Sequence, residues 1–336
     1  MKMNLILDGN YILYKNVYTL VKMKTLYGDL PQALINNFRK YTEMATWNQQ
    51  FFVSDGSASW RKQFYDQYKA TRKKDKTIDF DFAFQVYKEF KEHMENKCCV
   101  LEANGVEGDD WINVVTRKSN SLGIGCMIVS ADKDMNQRLK YKLDPLYMNV
   151  QVEDYTTYEK IFLPQGFELF LDKMRTADER DHDLFNLPDI SRCEYMLDSL
   201  INRLQVKAID PVESLFIKLV CGDKGDNVKS IFETPQNLKD GGTRMIGVGE
   251  ATGQKMWAKY QEKFDNHVVS LDTGSSEFSN AVIESLVDVK GLDLTKMERD
   301  GVRDKLVFNA RMMELHHKHL PKEIMSSIAA KLKTAF

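Results

Sequence analysis

Short apolar runs alternate with longer segments of helical periodicity over the first 130 residues. The runs span residues 5–7, 51–53, 98–101 and 126–129. Continuous apolar runs of this length are typical of strands that are buried on both faces, as in a parallel sheet. The intervening segments carry apolar residues three and four positions apart, which predicts amphipathic helices over residues 30–47, 82–94 and 111–122. The pattern therefore predicts an α/β fold with a mostly parallel central sheet flanked by helices.

The pattern becomes helical in the last third of the chain. Asp210, Pro211 and Glu213 have the order of a helix start, with an N-cap aspartate, a proline at the first position and a glutamate at the third. Gly247 and Gly249 precede a further helical segment, so a turn that opens into a helix is expected there. Two more helices are predicted over residues 302–317 and 321–332.

The domain organisation follows from this change of pattern. We predict an N-terminal α/β core over residues 1–163 and a helical C-terminal subdomain over residues 209–336. Residues 164–208 fit neither pattern and are interpreted as an insertion without an assigned role. A strand is also predicted over residues 147–152.

Acidic residues follow each apolar run of the predicted sheet. They are Asp8, then Asp55, then Glu107, Asp109 and Asp110, and finally Asp132 and Asp134. Strand ends and helix starts meet at one edge of a parallel sheet, so these carboxylates are expected to converge. Such a set of like charges repels unless cations neutralise it, and oxygen ligands without Cys or His favour Mg²⁺ or Mn²⁺. For residues 107–110 or 132–134 taken alone, a helix cap at Asp109 and Asp110 with solvated loop around it is the favoured explanation, and a turn is an alternative at Asp8. The recurrence of acidic residues at the same edge favours the metal site.

A second acidic pair, Asp223 and Asp226, follows the helix that begins near residue 210. Two aspartates three residues apart are a weak signal alone, but they extend the set that precedes them.

The most basic stretch of the chain, residues 59–74, follows Asp55 directly. If this stretch is helical, Arg61, Tyr65, Lys69 and Arg72 share one face, with Tyr68 beside it. Basic residues among aromatic ones suit single-stranded nucleic acid, because cations meet phosphates and rings stack on bases. A solvated helix face is the alternative explanation. The position next to Asp55 favours the nucleic-acid interpretation.

Bulk properties narrow the class of protein only slightly. The chain has 336 residues, of which 43% are hydrophobic and 29% charged, as in ordinary globular proteins. The net charge of −2 gives no overall basic field that would indicate nucleic acid. Five cysteines without a CxxC pair predict reduced thiols in a cytoplasmic protein. Neither a signal peptide nor a membrane span is expected, and a monomer is the default.

These motifs together resemble one family. Glu107-Gly108-Asp109-Asp110 is similar to its E-A-D-D motif, Ser130 to Asp134 to its S-x-D-x-D motif, and Gly222 to Asn227 to its G-D-x-x-D-N motif. The apolar runs ending at Asp8 and Asp55 resemble its first two metal-ligand strands. The basic stretch resembles its helical arch (residues 57–80), and Gly247 to Thr252 its helix-turn-helix hairpin. The chain is thus identified as resembling the 5′-nuclease superfamily of flap endonucleases and 5′-3′ exonucleases, especially the phage ribonuclease H of the T-even type.

The resemblance implies a PIN-like core and two-metal hydrolysis of phosphodiester bonds. Two Mg²⁺ ions are implied, for which Mn²⁺ is expected to substitute, and a K⁺ ion at the hairpin. The implied metal ligands are Asp8, Asp55, Glu107, Asp109, Asp110, Asp132, Asp134, Asp223 and Asp226, some acting through water because nine carboxylates exceed what two ions bind directly.

The resemblance also assigns roles to basic and aromatic residues. Lys69 and Arg72 would stabilise phosphate charge, and Tyr68 would stack on a frayed terminal base. The implied substrate-binding residues are Arg61, Lys62, Tyr65, Lys73, Lys74, Gly247, Gly249, Thr252 and Lys255. Gly108 stands where the family usually has alanine, and the connection from Asn227 to Gly247 is longer than the family's hairpin.

The implied substrate is branched, nicked or flapped DNA, or an RNA–DNA duplex, with a free 5′ end. Primer removal on the lagging strand during phage replication, and partners such as a single-strand-binding protein or a sliding clamp, are further expectations. Two rival functions remain open from the sequence. A Toprim-like phosphotransferase or nuclease also combines a glutamate with Asp-x-Asp, and a DNA-junction binding protein would keep the fold without catalysis.

Overall fold

The computed structural model describes residues 3–43, 47–73, 75–138, 141–143, 206–208, 210–237, 242–264, 268 and 270–336. The strand predicted over residues 147–152 and nearly all of the predicted insertion lie outside these residues. The chain divides into two compact units. Unit 1 comprises residues 1–59, 75–209 and 321–336, and unit 2 comprises residues 60–74 and 210–320.

The strands of unit 1 form the predicted parallel sheet. They are β1 (Met3–Asp8), β2 (Gln49–Val53), β3 (Cys99–Leu101) and β4 (Gly125–Val129), and their order is β3-β2-β1-β4. All neighbouring pairs are parallel, with Asp8 opposite Val53 and Leu7 opposite Val129. The α/β fold class is therefore confirmed, and the carboxyl ends of the four strands lie at one edge of the sheet.

The other elements follow in chain order. The helices are α1 (Gly9–Met23), α2 (Leu26–Thr42), α3 (Trp60–Phe64), α4 (Phe80–Met94), α5 (Gly108–Ser121), α6 (Pro211–Cys221), α7 (Glu250–Glu262), α8 (Ser276–Lys290), α9 (Lys296–Met313) and α10 (Lys322–Ala335). Short antiparallel strand pairs are β5 (Tyr141–Leu143) with β6 (Val206–Ala208), and β7 (Glu233–Asn237) with β8 (Thr243–Gly247). None of the described helices is both long and apolar enough to cross a membrane.

Helix α1 was not predicted, and it gives Asp8 its position. The Asp8 carboxylate accepts a hydrogen bond from the backbone N–H of Tyr11 at 3.0 Å, so Asp8 is the N-cap of α1 as well as the last residue of β1. Ile12, Leu13 and Val17 of α1 are buried in the core between the sheet and helices α2 and α4. This packing excludes the simple Asp-Gly turn that the sequence left open at Asp8.

The C-terminal helix α10 belongs to unit 1, although the sequence pattern grouped it with the C-terminal subdomain. The rings of Phe51 and Phe336 stack with centroids 5.3 Å apart. Gln49 donates a hydrogen bond from Nε2 to the carbonyl oxygen of Ala335 at 2.7 Å. Ile328 of the same helix is buried. These contacts hold the last helix against β2.

Unit 2 has its own core, built from α6, α7, α8 and α9 around Phe216, Trp257 and Leu306. The predicted start of α6 is confirmed. Asp210 accepts hydrogen bonds from the backbone N–H groups of Val212 and Glu213 at 2.8 and 3.1 Å, and Pro211 occupies the first helical turn. Near the end of the unit, His319 contacts the buried Glu314 at 2.7 Å, so this histidine is part of an ion-pair cluster.

Residues 59–74 do not form one continuous helix, so the shared helical face considered for Arg61, Tyr65, Lys69 and Arg72 is not present. Helix α3 ends at Phe64, and the chain continues through turns in which Lys69 has a left-handed backbone with φ of 57°. Tyr65 and Tyr68 pack with Val228 and Met313. Tertiary contacts within unit 2 therefore determine the backbone conformation of residues 65–73, and helical periodicity does not.

Candidate metal centre

Asp8 lies at the carboxyl edge of the sheet and is one of three buried carboxylates of the predicted set in unit 1, with Glu107 and Asp110. Only 8% of Asp8 is exposed. The Ser130 hydroxyl donates to Asp8 Oδ2 at 2.7 Å, while Tyr11 N–H binds the other oxygen. Burial raises the pKa of Asp8 to about 6, and the nearby charges of Asp55 and Asp132 add to this rise. A carboxylate held in this way gains stability from any cation that binds to it.

Asp55 is exposed and is held on both of its oxygens. The backbone N–H of Gly108 donates to Asp55 Oδ1 at 2.7 Å, and Asn10 Nδ2 donates to Oδ2 at 2.7 Å. Asn10 Oδ1 in turn accepts from the backbone N–H of Asp55 at 3.2 Å. A Cβ at position 108 would lie 3.2 Å from Asp55 Oδ1, so glycine at this position allows a closer approach than the alanine usual in the family. Asn10 is a positioning residue that the sequence motifs did not reveal.

Glu107 and Asp110 lie at the start of α5 and are buried, whereas Asp109 is half-buried. Asp110 Oδ2 accepts a hydrogen bond from the backbone N–H of Glu107 at 3.3 Å, which fixes the first turn of the helix. Helix capping and metal binding are compatible roles here, because a carboxylate oxygen that accepts a backbone N–H can also bind a cation.

Ser130 connects the two ends of this acidic set. Besides donating to Asp8, its Oγ accepts from the backbone N–H of Asp132 at 3.1 Å. Asp132 is exposed, and its Oδ1 accepts from the backbone N–H of Asp134 at 2.9 Å. The structure thus gathers Asp8, Asp55 and Asp132 closely enough that their charges influence one another.

A cavity of about 940 Å³ adjoins this site, with Asn10, Ser54 and Asp55 in its wall. Tyr14 and Phe84 also line it, and they are 36% and 40% exposed. Their rings meet edge to face with centroids 6.4 Å apart. Within the predicted helix over residues 82–94, Phe84 has the helical spacing from Tyr87 and Phe90 that is typical of core residues, but the structure exposes its ring. Tyr14 has no role predicted from the sequence, because the helix α1 that carries it was not predicted.

Asp223 and Asp226 lie in unit 2, at the end of α6. Asp226 Oδ1 contacts Arg72 at 2.8 Å, and its Oδ2 accepts from the Tyr68 hydroxyl at 3.3 Å. Burial acts to raise the pKa of Asp223, but the ion pair with Lys218 at 3.1 Å and backbone hydrogen bonds outweigh it and lower the pKa. The assignment of both aspartates to a metal stays a prediction from the sequence.

Two residues of the basic stretch are less accessible than their predicted roles require. Tyr68 is only 4% exposed, so its ring is not presented for stacking on a base. Arg61 is 3% exposed and donates from Nε to the carbonyl oxygen of Met312 at 2.8 Å. Both side chains are held by the packing of residues 60–74 within unit 2, and this corrects their placement at a substrate surface.

The remaining predicted substrate-binding residues differ in exposure. Lys62, Lys73, Gly249 and Lys255 are exposed, whereas Gly247 and Thr252 are half-buried. Tyr65 is half-buried and its hydroxyl donates to the carbonyl oxygen of Asn227 at 3.2 Å. Lys74 lies outside the described residues. Gly249 is the N-cap of α7, which confirms the predicted helix after the glycine pair.

Comparison with known proteins agrees with this geometry. Residues 3–164 match the family model described as 5′-3′ exonuclease, N-terminal resolvase-like domain. Among solved structures, a bacteriophage T5 protein co-crystallised with metal ions is 14% identical, with a TM-score of 0.53 over 99% of this chain and 98% of that one. The T5 5′-exonuclease with bound zinc has the same identity and TM-score and is covered completely. A T5 flap endonuclease variant in a complex with DNA and metal ions is 13% identical, with a TM-score of 0.52 and 99% coverage of both chains. Curated protein sequences give no significant match.

Residues 3–164, just under half of the chain, match the N-terminal domain of the 5′-3′ exonuclease family. This match confirms the family resemblance inferred from the acidic motifs, and it agrees with the predicted enzyme class, a 5′-3′ nuclease. The solved structures share its PIN-like fold over nearly the whole chain length.

Proposed function

We propose that this protein is a structure-specific nuclease that removes nucleotides from free 5′ ends and cuts 5′ flaps near their junction with duplex DNA. The observation that carries the proposal is the convergence of Asp8, Asp55 and Asp132, whose mutual repulsion contributes to the raised pKa of Asp8. That repulsion is what a bound cation would relieve. The T5 structures, which are reported with metal ions and in one case with DNA, support the same reaction class.

The donor set fits hard divalent cations. In unit 1 it offers carboxylate oxygens, and neither a cysteine thiol nor a histidine lies among the predicted ligands. We assign the first Mg²⁺ to Asp8, Asp55, Glu107, Asp109 and Asp110. When bound, divalent ions supply Lewis-acid stabilisation of the phosphate and lower the pKa of water. The chain's own contribution is orientation, because Ser130, Asn10 and the Gly108 N–H hold the carboxylates in fixed directions.

Replacing Asp132 by asparagine tests this function directly. The substitution removes one exposed carboxylate but keeps an oxygen that accepts the Asp134 N–H bond, so the fold should persist. We expect cleavage of a 5′-end-labelled flap duplex in Mg²⁺ to fall by about 100-fold or more, with no cleavage by either protein in EDTA. Gel analysis of the labelled products measures both rate and cut position.

The matched control is Asp293→Asn, which changes an exposed carboxylate of unit 2 and should leave the rate unchanged. Equal cleavage by wild type and Asp132→Asn would show that Asp132 is not required at the metal centre. Tight flap binding without any cleavage in Mg²⁺ or Mn²⁺ would favour a DNA-junction binding protein instead. Full activity after replacement of Asp8 would favour a Toprim-like enzyme, which does not require that residue.

We further propose that the cavity beside Asp55 receives the terminal nucleobase. Its aromatic pair, Tyr14 and Phe84, offers exposed ring surface next to a metal-ligand carboxylate, whereas the Tyr68 ring is buried. Stacking of bases on such rings tolerates every sequence, because each base has a π-face. The volume of about 940 Å³ leaves space for a nucleotide and ordered water.

The Phe84→Leu variant separates stacking from simple apolar packing. Base stacking contributes roughly 1–3 kcal/mol, so we expect kcat/KM on flap DNA to fall by about 5- to 150-fold. The side chain is 40% exposed, so the free energy of unfolding should change little. The control is Leu122→Ala, because Leu122 is 52% exposed and lies just beyond the C-terminal end of α5. This substitution should leave kcat/KM unchanged. Unchanged kinetics with Phe84→Leu would exclude this ring from substrate binding.

Several finer expectations extend the proposal. RNA of RNA–DNA primers is a suitable substrate, because the reaction acts on a backbone phosphate and does not use the 2′-hydroxyl. We also propose that the protein is a monomer that removes primers in the cytoplasm of a phage-infected cell. Further proposals are a K⁺ ion near Gly247 and Gly249 and contacts with a single-strand-binding protein or a sliding clamp. Lys69 and Arg72 are proposed to stabilise phosphate charge.

A further inference from the structure

The long connection before α7 forms a two-stranded antiparallel ribbon within unit 2. Strands β7 and β8 pair from Glu233 opposite Gly247 to Asn237 opposite Thr243. The half of the ribbon that is farther from the core is exposed on both faces, and these exposed residues are Pro235, Gln236, Asn237, Thr243, Arg244 and Met245. An isolated two-stranded ribbon is at best marginally stable in water. The exposed half of this ribbon therefore contributes little to the stability of the fold.

The base of the ribbon is fixed to the core of unit 2. Ile231 and Val248 are buried at the two ends of the connection. Ser230 Oγ accepts from the backbone N–H of Val248 at 3.1 Å and donates to the carbonyl oxygen of Phe232 at 2.9 Å. Gly247 lies so close to Ser230 that a Cβ there would overlap the hydroxyl. The ribbon therefore leaves the core in a defined direction.

The base of the ribbon also borders a cationic cavity. This cavity has a volume of about 590 Å³, and Lys224, Lys229 and Arg244 line it together with Gly249 at the start of α7. Glu233, the one acidic residue among the described ribbon residues, is near Lys229, with 3.9 Å between Oε2 and Nζ. Strand β8 ends at Gly247, and Gly249 and Thr252 follow it in the chain; all three are predicted from the sequence to bind the substrate.

The exposed half of the ribbon carries groups that bind nucleic acid. Gln236 pairs across the strands with Arg244, which places an amide beside a guanidinium. Amides and guanidinium groups form hydrogen bonds with base edges in the major groove, and the groove is wide enough for a two-stranded ribbon. Pro235 has no N–H to donate, so it disfavours the addition of a partner protein's strand along that edge.

We propose that the ribbon enters the major groove of the duplex arm of the substrate, with Gln236 and Arg244 at the base edges and Lys229 at a phosphate. This interaction rests on the proposed function, because it requires a duplex next to the cleaved strand. It adds a contact with the duplex arm, which favours substrates that carry a sufficiently long duplex.

Protection of guanine N7 from dimethyl sulfate tests the placement, because N7 lies in the major groove. The full-length protein is bound in EDTA to a flap substrate, so no cleavage occurs. We expect wild type to protect guanines in the duplex arm and the double variant Gln236→Ala/Arg244→Ala to lose that protection. The double variant should also bind the flap substrate about tenfold more weakly. Lys229→Ala should lower the slope of the logarithm of the binding constant against the logarithm of salt concentration by about one, because one phosphate contact is lost.

The matched control is Arg39→Ala, which removes an exposed arginine of unit 1 and should leave protection and affinity unchanged. Unchanged N7 protection with the double variant would overturn the proposal. So would a loss of affinity for a protein partner with unaltered DNA binding. Cleavage of flaps with a very short and a long duplex arm separates the two hypotheses. Wild type and the double variant should cut the short-arm flap equally well, and the double variant should cut the long-arm flap more slowly. Equal cleavage of both flaps by the two proteins would overturn the ribbon proposal, whereas no cleavage of either flap by wild type would contradict the proposed function.

Discussion

Asp8→Asn is expected to abolish flap cleavage and, in the absence of metal, to stabilise the protein at pH 7–8. The loss of activity follows because Asp8 is a buried carboxylate of the predicted metal-ligand set. The gain in stability follows because asparagine carries no charge to desolvate and no repulsion from Asp55 and Asp132. Ligand sites are often maintained at a cost in stability, and this residue is a specific case of that trade-off.

The sign of the effect comes from the pKa of Asp8, which burial raises from 3.8 to about 6. The folded state therefore holds a proton that the unfolded state has released between these two pH values. Wild type loses stability as pH rises through this interval, and the loss is complete above about pH 6. It amounts to at most about 3 kcal/mol, since one pKa unit corresponds to 1.36 kcal/mol. Asp8→Asn has no such loss.

Urea unfolding in EDTA at pH 4, 6 and 8 measures the difference. The two proteins should be similar in stability at pH 4, and Asp8→Asn should be the more stable at pH 8. Mg²⁺ should stabilise wild type by mass action and have less effect on the variant. Asp293→Asn, an exposed change, should follow wild type at every pH. A variant that is less stable than wild type at pH 8 in EDTA would contradict the argument.

Gly56→Ala is expected to damage both the fold and the metal centre. A Cβ at position 56 would overlap the carbonyl oxygen of Ala103, which is backbone and cannot rotate away. The Gly56 N–H also donates to the carbonyl oxygen of Val106 at 2.8 Å. Separation of these segments would displace Asp55 on one side and Glu107 on the other. We expect a loss of about 1–3 kcal/mol in the free energy of unfolding and about 100-fold in kcat.

A second glycine provides the matched control for this experiment. Gly28 lies within α2, and a Cβ there would meet nothing within 4 Å. Gly28→Ala should therefore be neutral or stabilising by about 0.5–1 kcal/mol, because alanine favours helix. Urea unfolding and flap cleavage compare the two variants. If Gly56→Ala had wild-type stability and activity, the close contact with Ala103 would not constrain the site.

The acidic centre of unit 1 was predictable because two simple patterns coincide in it. Buried parallel strands are continuous apolar runs, and all four were recognised from the sequence. Asp8, Asp55 and Asp132 each follow such a run within three residues. Parallel pairing then brings these positions to one edge, whatever the details of the helices between the strands.

The aromatic residues were less predictable, because periodicity does not distinguish a core-facing ring from one that lines a cavity. Phe84 has helical spacing with Tyr87 and Phe90, yet it is 40% exposed while they are buried. Tyr68 lies in a basic stretch that suggests a surface, yet Val228 and Met313 enclose it. Only the positions of neighbouring elements decide such cases.

The sequence by itself determined the parallel sheet, the edge where the carboxylates meet and the superfamily, because local apolar patterning and motif order specify them. The tertiary structure decided that residues 60–74 pack within unit 2, that α10 packs against β2, and that the long connection is an exposed ribbon. The first two features depend on contacts between residues far apart in the chain, whereas the ribbon is a local hairpin whose exposed polar strands have no alternating apolar pattern. Long-range contacts leave no periodic signal in the segments that make them.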